Sequence, residues 1–129
     1  MPEKFAAAIN CIDGRVQQAV RSFIITNFEV DHVDKITEAG ANKVLAEGLD
    51  KIALESIKKR VEFSVNGHNV KDVFVVGHFG CLANPADEDE QKKQIIKAIA
   101  VVSSWNLPVE NILGIWVHKG LKTCSLVMP

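Results

Sequence analysis

The chain has 129 residues, 47% of them apolar and 24% charged, with 15 Lys and Arg set against 16 Asp and Glu. That length leaves room for one domain, and the balance is that of an ordinary globular protein, not of a disordered or collagen-like chain. A net charge of −1 without a Lys/Arg cluster supplies none of the counterion-release affinity on which nucleic-acid binding rests, so nucleic acid is not expected as a partner.

Met1-Pro2-Glu3-Lys4 runs straight into an apolar stretch without the charged, long-apolar and cleavage-site pattern of a signal peptide. No apolar run approaches the ~20 residues needed to cross a bilayer. A cytoplasmic protein with no membrane partner is therefore expected. Residues 5–11 form a short, nearly continuous apolar run and read as a buried parallel strand. A helix pattern covers 16–27. Residues 32–36 are a weaker, more polar strand suited to a sheet edge. Residues 50–63 carry Leu54, Ile57 and Val61 at helical spacing. Residues 73–78 are a second buried strand. The next helix, 87–105, has Ile95, Ile99 and Val102 as its inner stripe and opens on Asp87-Glu88-Asp89-Glu90, an acidic first turn that suits the positive end of a helix dipole.

Residues 112–117 form a further apolar strand. After His118-Lys119-Gly120, residues 121–127 alternate as a half-exposed edge strand and close a hairpin. Strands alternating with helices predict an α/β fold. It is a three-layer domain over residues 1–129, with a mostly parallel sheet of four strands plus an antiparallel edge strand. Ligands of such a sheet bind outside the carboxyl ends of its parallel strands. No repeat, linker or low-complexity segment interrupts it.

Cys11, Cys81 and Cys124 are an odd number of cysteines, which argues against a disulfide framework and raises metal binding or catalysis. Buried thiols acting as small hydrophobes are the plainer alternative. Two groups stand at strand carboxyl ends: Cys11-Ile12-Asp13-Gly14-Arg15 and His78-Phe79-Gly80-Cys81. First and third strands are commonly central neighbours in doubly wound sheets, so both loops are expected to open on one crevice. Thiolate and imidazole are preferred zinc ligands, and three protein ligands with a fourth position left to water is the catalytic pattern. Cys11, His78 and Cys81 are the candidate ligands of one zinc ion per chain. An iron–sulfur cluster would more usually want a fourth Cys, and Cys124 lies on the edge strand.

Arg15 offers a planar fork that can hold the Asp13 carboxylate, and a positioned carboxylate beside a metal can take a proton. Taken singly, each residue has a structural explanation: a Cys at a strand end is usually a packed thiol, and Asp-Gly-Arg is usually a turn. A phosphatase-like loop fails on spacing, because the three residues between Cys11 and Arg15 are too few to wrap a phosphate.

Together the two groups resemble the zinc motif of the β-class carbonic anhydrases, Cys-x-Asp-x-Arg followed much later by His-x-x-Cys. The resemblance extends through Asp34-Lys35-Ile36-Thr37-Glu38-Ala39-Gly40-Ala41, Leu54-Glu55-Ser56-Ile57 and Val75-Val76-Gly77-His78-Phe79-Gly80-Cys81. It implies zinc on Cys11, His78 and Cys81, Asp13 and Arg15 as the catalytic pair, and hydration of carbon dioxide to bicarbonate by a zinc-bound hydroxide. It also implies a homo-oligomer, a dimer or larger. Asp13 would either accept from the zinc-bound hydroxide or bind zinc as a fourth ligand. The chain departs from the family in Leu82, where a Gly usually follows the second Cys, and in Thr37-Glu38-Ala39-Gly40, where the family has Arg-Asn-Ala-Gly. Two other readings keep the same ligands: hydrolysis of carbonyl sulfide or carbon disulfide, and a non-catalytic zinc-binding protein.

The other histidines carry less. His32 sits on the edge strand and His68 in an Asn66-Gly67-His68 turn, both expected solvated. His118 ends a strand on the active edge, where a hairpin turn competes with a proton-shuttle role. Trp105 and Trp116 are expected to pack core or interface.

Overall fold

The structure is a computed structural model that describes residues 2–128. Its elements in chain order are β1 (Phe5–Asn10), α1 (Gln17–Phe28), β2 (His32–Thr37), α2 (Ala41–Glu47), α3 (Lys51–His68), β3 (Asp72–His78), α4 (Glu88–Ser103), β4 (Asn111–Val117) and β5 (Cys124–Val127). The strands form one five-stranded sheet in the order β2-β1-β3-β4-β5. Four strands run parallel and β5 pairs antiparallel with β4. The predicted α/β architecture and its antiparallel edge are both present. Among the described residues, no helix is long and apolar enough to cross a membrane.

The near-continuous apolar strands follow from burial on both faces. On one face, Ala6, Ala8, Phe74, Val76, Ile115 and Val117 pack against Val16, Val20 and Ile24, which belong to α1 and the turn before it. On the other face, Ile9, Val75 and Trp116 pack against Leu45, Ile57, Val61, Ile95 and Ile99 of α2, α3 and α4. Trp116 is buried and Trp105 lies against the same cluster, so both tryptophans pack core. The acidic start of α4 is a cap as expected: the Asp87 carboxylate accepts from Glu90 N at 2.9 Å.

Two local readings change. Helix α2 is missing from the sequence-based elements, because seven residues give no periodicity beyond the Ala41/Leu45 pair, and left-handed Gly40 and Gly48 flank it. Helix α3 does not stop at Phe63 but continues through Gly67 to His68. Its terminator is Asn69, in the left-handed region at φ 54°, with its N–H returned to Val65 O. His68 therefore ends a helix instead of sitting in a turn; it is exposed as expected, but it stacks on Phe5 at 3.9 Å and its Nδ1 lies 2.6 Å from Asp34 Oδ2. His32 stays half-exposed beside Glu3 on the edge strand.

Gly114 of β4 is set against Val127 of β5. A Cβ there would lie 2.5 Å from Ile95 Cγ2 and 2.8 Å from Val127 O. The second neighbour is backbone and cannot swing away without loosening the β4/β5 pairing. Gly114→Ala is expected to cost about 1–3 kcal/mol by overpacking, seen as a lower midpoint in denaturant unfolding; an unchanged midpoint would contradict the close contact.

Candidate metal centre

The two loops meet because β1 and β3 are neighbours, with Ile9 in register with Val75. Cys11 follows β1 directly. His78 closes β3, and Gly80, at φ +70°, makes the tight turn that brings Cys81 back beside it. The ligand atoms of Cys11, His78 and Cys81 lie within 4.8 Å of one another, and all three residues are buried. The two sulfurs are 3.8 Å apart.

Three observations test whether a metal fits. First, His78 Nδ1 donates to Phe79 O at 2.9 Å, which fixes the tautomer and leaves Nε2 as a bare acceptor; that atom is buried and has no hydrogen-bond partner. A buried polar atom left so is rare in a folded protein, and a free imidazole lone pair on a residue clustered with two thiols is what a cation would satisfy. Second, two sulfurs each about 2.3 Å from a tetrahedral ion stand roughly 3.8 Å apart, the separation observed. Third, burial and the neighbouring Cys11 push the Cys81 thiol up, while backbone N–H groups of Ala83 and Asn84 point at its sulfur and favour the thiolate. A bound cation would remove the repulsion and leave those amides as support. The cluster can hold a metal, and its donor set suits zinc.

Asp13 lies beside this cluster, near enough for His78 to influence it, but is not one of the clustered ligands. Its Oδ1 accepts from Arg15 N at 2.9 Å and Nε at 3.1 Å, and its Oδ2 accepts from Nη2 at 2.7 Å. The Arg15 guanidinium holds the Asp13 carboxyl down at about 2, so it is ionised above about pH 4. Arg15 Nη2 also reaches Gly80 O at 3.4 Å, tying the first loop to the second. A cavity of about 850 Å3 opens beside Arg15, Phe79 and Gly80.

Residues 1–127 match a protein-family model described as "Putative carbonic anhydrase". The chain belongs to the β-carbonic anhydrase-like family. No curated protein is detectably similar in sequence to this family member. Among solved structures, it is similar to the β-carbonic anhydrase isoform I of Trichomonas vaginalis, with a TM-score of 0.63 at 17% identity, covering 98% of this chain and 84% of that one. A carbonic anhydrase from Streptococcus mutans gives 0.56 at 16% identity, covering 99% and 86%. An apo carbon disulfide hydrolase gives 0.52 at 12%, covering 98% and 80%. At these identities the likeness is one of fold.

In this carbonic anhydrase-like chain the remaining candidates lie elsewhere. His118 Nε2 is 2.9 Å from Ser125 Oγ across the hairpin and the ring lies within electrostatic reach of Glu88; the structure does not bring it to the cluster. Cys124 stays on β5, half-buried, its thiol pushed up to about 11 by burial. Reading the sequence missed the residues behind the loops. Gln91 Nε2, buried on α4, donates to His78 O at 3.0 Å and Ala86 O at 3.2 Å, holding the second loop. Gln17 does the same for the first, with Asn10 and Lys35 behind it. The one signal for this was Asn10, a polar residue closing an otherwise apolar strand.

Proposed function

We propose that this protein reversibly hydrates carbon dioxide to bicarbonate as a single domain, with one zinc ion per chain on Cys11, His78 and Cys81 and with Asp13 and Arg15 as the catalytic pair. The observation that carries this reading is the bare, buried Nε2 of a His78 clustered with two thiols 3.8 Å apart. When bound there, zinc supplies Lewis acidity that lowers the pKa of water toward ~7. Two thiolates offset the charge of a divalent ion, so an oriented acceptor for the water proton matters more here than at a three-histidine site.

Asp13 is that acceptor. Its carboxylate takes the hydrogen bond of the attacking water and so aims an oxygen lone pair at the substrate carbon. Arg15 keeps the carboxylate ionised and holds its plane through both oxygens. Because Asp13 is occupied by Arg15 and stands outside the ligand cluster, the arrangement favours the acceptor role over a fourth metal bond. Carbon dioxide and water combine to give bicarbonate and one proton.

Stopped-flow measurement of carbon dioxide hydration tests this. Zinc-loaded protein is expected to accelerate hydration and metal-stripped protein to lose the effect. A fully loaded protein with no hydration activity would overturn the assignment. Sulfide release from carbon disulfide or carbonyl sulfide in its place would move the substrate to the sulfur analogues, a reading favoured only by the shared fold of the hydrolase.

The protein is further proposed to be a homo-oligomer. Ile12, Phe79 and Leu82 flank the ligand residues and are 65%, 44% and 99% exposed; a second copy over the mouth would remove that apolar surface from water. Light scattering is expected to give at least twice the chain mass of 14.2 kDa, and a monomer would refute it.

A further inference from the structure

Gln17 is the first residue of α1, and its side chain turns back over the loop that precedes the helix. Its Nε2 donates to two carbonyl oxygens, Cys11 O and Asp13 O, each at 2.8 Å. Its Oε1 accepts from Asn10 Nδ2 and from Lys35 Nζ, each at 2.9 Å. A carboxamide has two donor hydrogens and two acceptor lone pairs, and here all four are used. Such a group cannot rotate or shift without losing bonds on both sides.

The two carbonyls are not arbitrary. One belongs to a candidate metal ligand and the other to the carboxylate residue placed beside it. A single planar fork thus spans Cys11 and Asp13 and sets their spacing. Lys35 secures the fork from behind: it rises from edge strand β2, is half-buried, and donates a second bond to Gln17 O at 3.0 Å. The start of α1 otherwise lacks side-chain support, because Val16 at the N-cap makes no capping bond. A residue serving only the helix would cap its free N–H groups; Gln17 bonds the loop instead.

We propose that Gln17 is a positioning residue that sets Cys11 and Asp13 relative to one another, with Lys35 fixing Gln17 in turn. This rests on the zinc reading above. Gln17→Glu is the sharpest probe, since it keeps the shape and the acceptor toward Lys35 and Asn10 but replaces the two donors with an oxygen that repels both carbonyls. Gln17→Met removes the donors without adding charge. Lys35→Met leaves the fork intact and removes its support.

The readouts are zinc affinity by competition with a chromophoric chelator, the visible spectrum with cobalt(II) as the probe metal, and thermal unfolding of the metal-free proteins. The wild type is expected to bind one cobalt per chain with thiolate charge-transfer absorption. Both Gln17 variants are expected to bind zinc ~10–100-fold more weakly and to shift the cobalt ligand-field bands. Lys35→Met should show a smaller loss in the same direction, and Gln18→Ala, an exposed neighbour on the helix, should match the wild type. A purely structural Gln17 would lower the metal-free melting temperature and leave affinity and spectrum of the folded protein alone, which overturns the proposal. If the wild type binds metal and the Gln17 variants equal it, this inference falls and the zinc reading stands. If the wild type binds neither zinc nor cobalt, both fall.

Discussion

Replacing His78 by Ala or Cys11 by Ser is expected to abolish stoichiometric zinc in purified protein, measured by metal analysis. The ligand set is minimal. Removing one of three donors leaves two, a pair of thiols in the His78 variant or a thiol and an imidazole in the Cys11 variant, and two protein donors are too few for a tight tetrahedral site. The contrast is Cys124→Ser: that thiol sits on β5, is pushed up to about 11 by burial, and is absent from the cluster. It is expected to leave zinc content unchanged. Full zinc retention in either ligand variant would sink the assignment, whatever the activity.

Asp13→Asn is expected to lower hydration at neutral pH by at least ~10-fold, about 1.4 kcal/mol of barrier, while zinc content stays close to one per chain. The amide keeps the shape of the carboxylate but presents a weaker acceptor and no charge. Arg15→Ala should do similar damage by another route, because it removes the bonds at 2.7 and 3.1 Å that point the carboxylate. The carboxylate is ionised above about pH 4 with Arg15 in place, so its own titration contributes nothing to a rate profile near neutral pH. Were Asp13 a fourth metal ligand, its replacement would open the site and raise activity at lower pH instead. Wild-type turnover in Asp13→Asn with zinc still bound contradicts the catalytic role. If the wild type is inactive too, the chain is a non-catalytic zinc protein.

The fold was legible where apolar runs were long enough to declare a strand buried on both faces. Residues 73–78 and 112–117 became β3 and β4 with one residue added at the start. The convergence of Cys11, His78 and Cys81 followed from the position of each at or just past a strand end, plus the habit of such sheets to place first and third strands side by side. Shorter local signals failed. Helix α2 is two turns held by its neighbours, not by its own periodicity, and Asn66-Gly67 looked like a turn although helix packing carries the chain past it. Gln17 was invisible for a different reason. Its partners are backbone carbonyls and a lysine on another strand, and neither residue type nor spacing announces a bond that exists only once β2 lies beside β1.

Because the candidate ligands come from two strands in the middle of the sheet, with α1, β2, α2 and α3 between them in the chain, the cluster exists only in molecules that have paired β1 with β3. An unfolded chain must close a long loop to present the same donors. A metal ion held there would therefore bind the folded population alone, and at a hundredfold excess over its dissociation constant it would add about 2.7 kcal/mol to unfolding. Against the ~5–15 kcal/mol that holds a typical domain together, that is a sizeable share. With metal bound, a smaller share of such a chain would be unfolded and open to proteases at any moment, so its abundance would rise with metal supply, whatever the site does chemically.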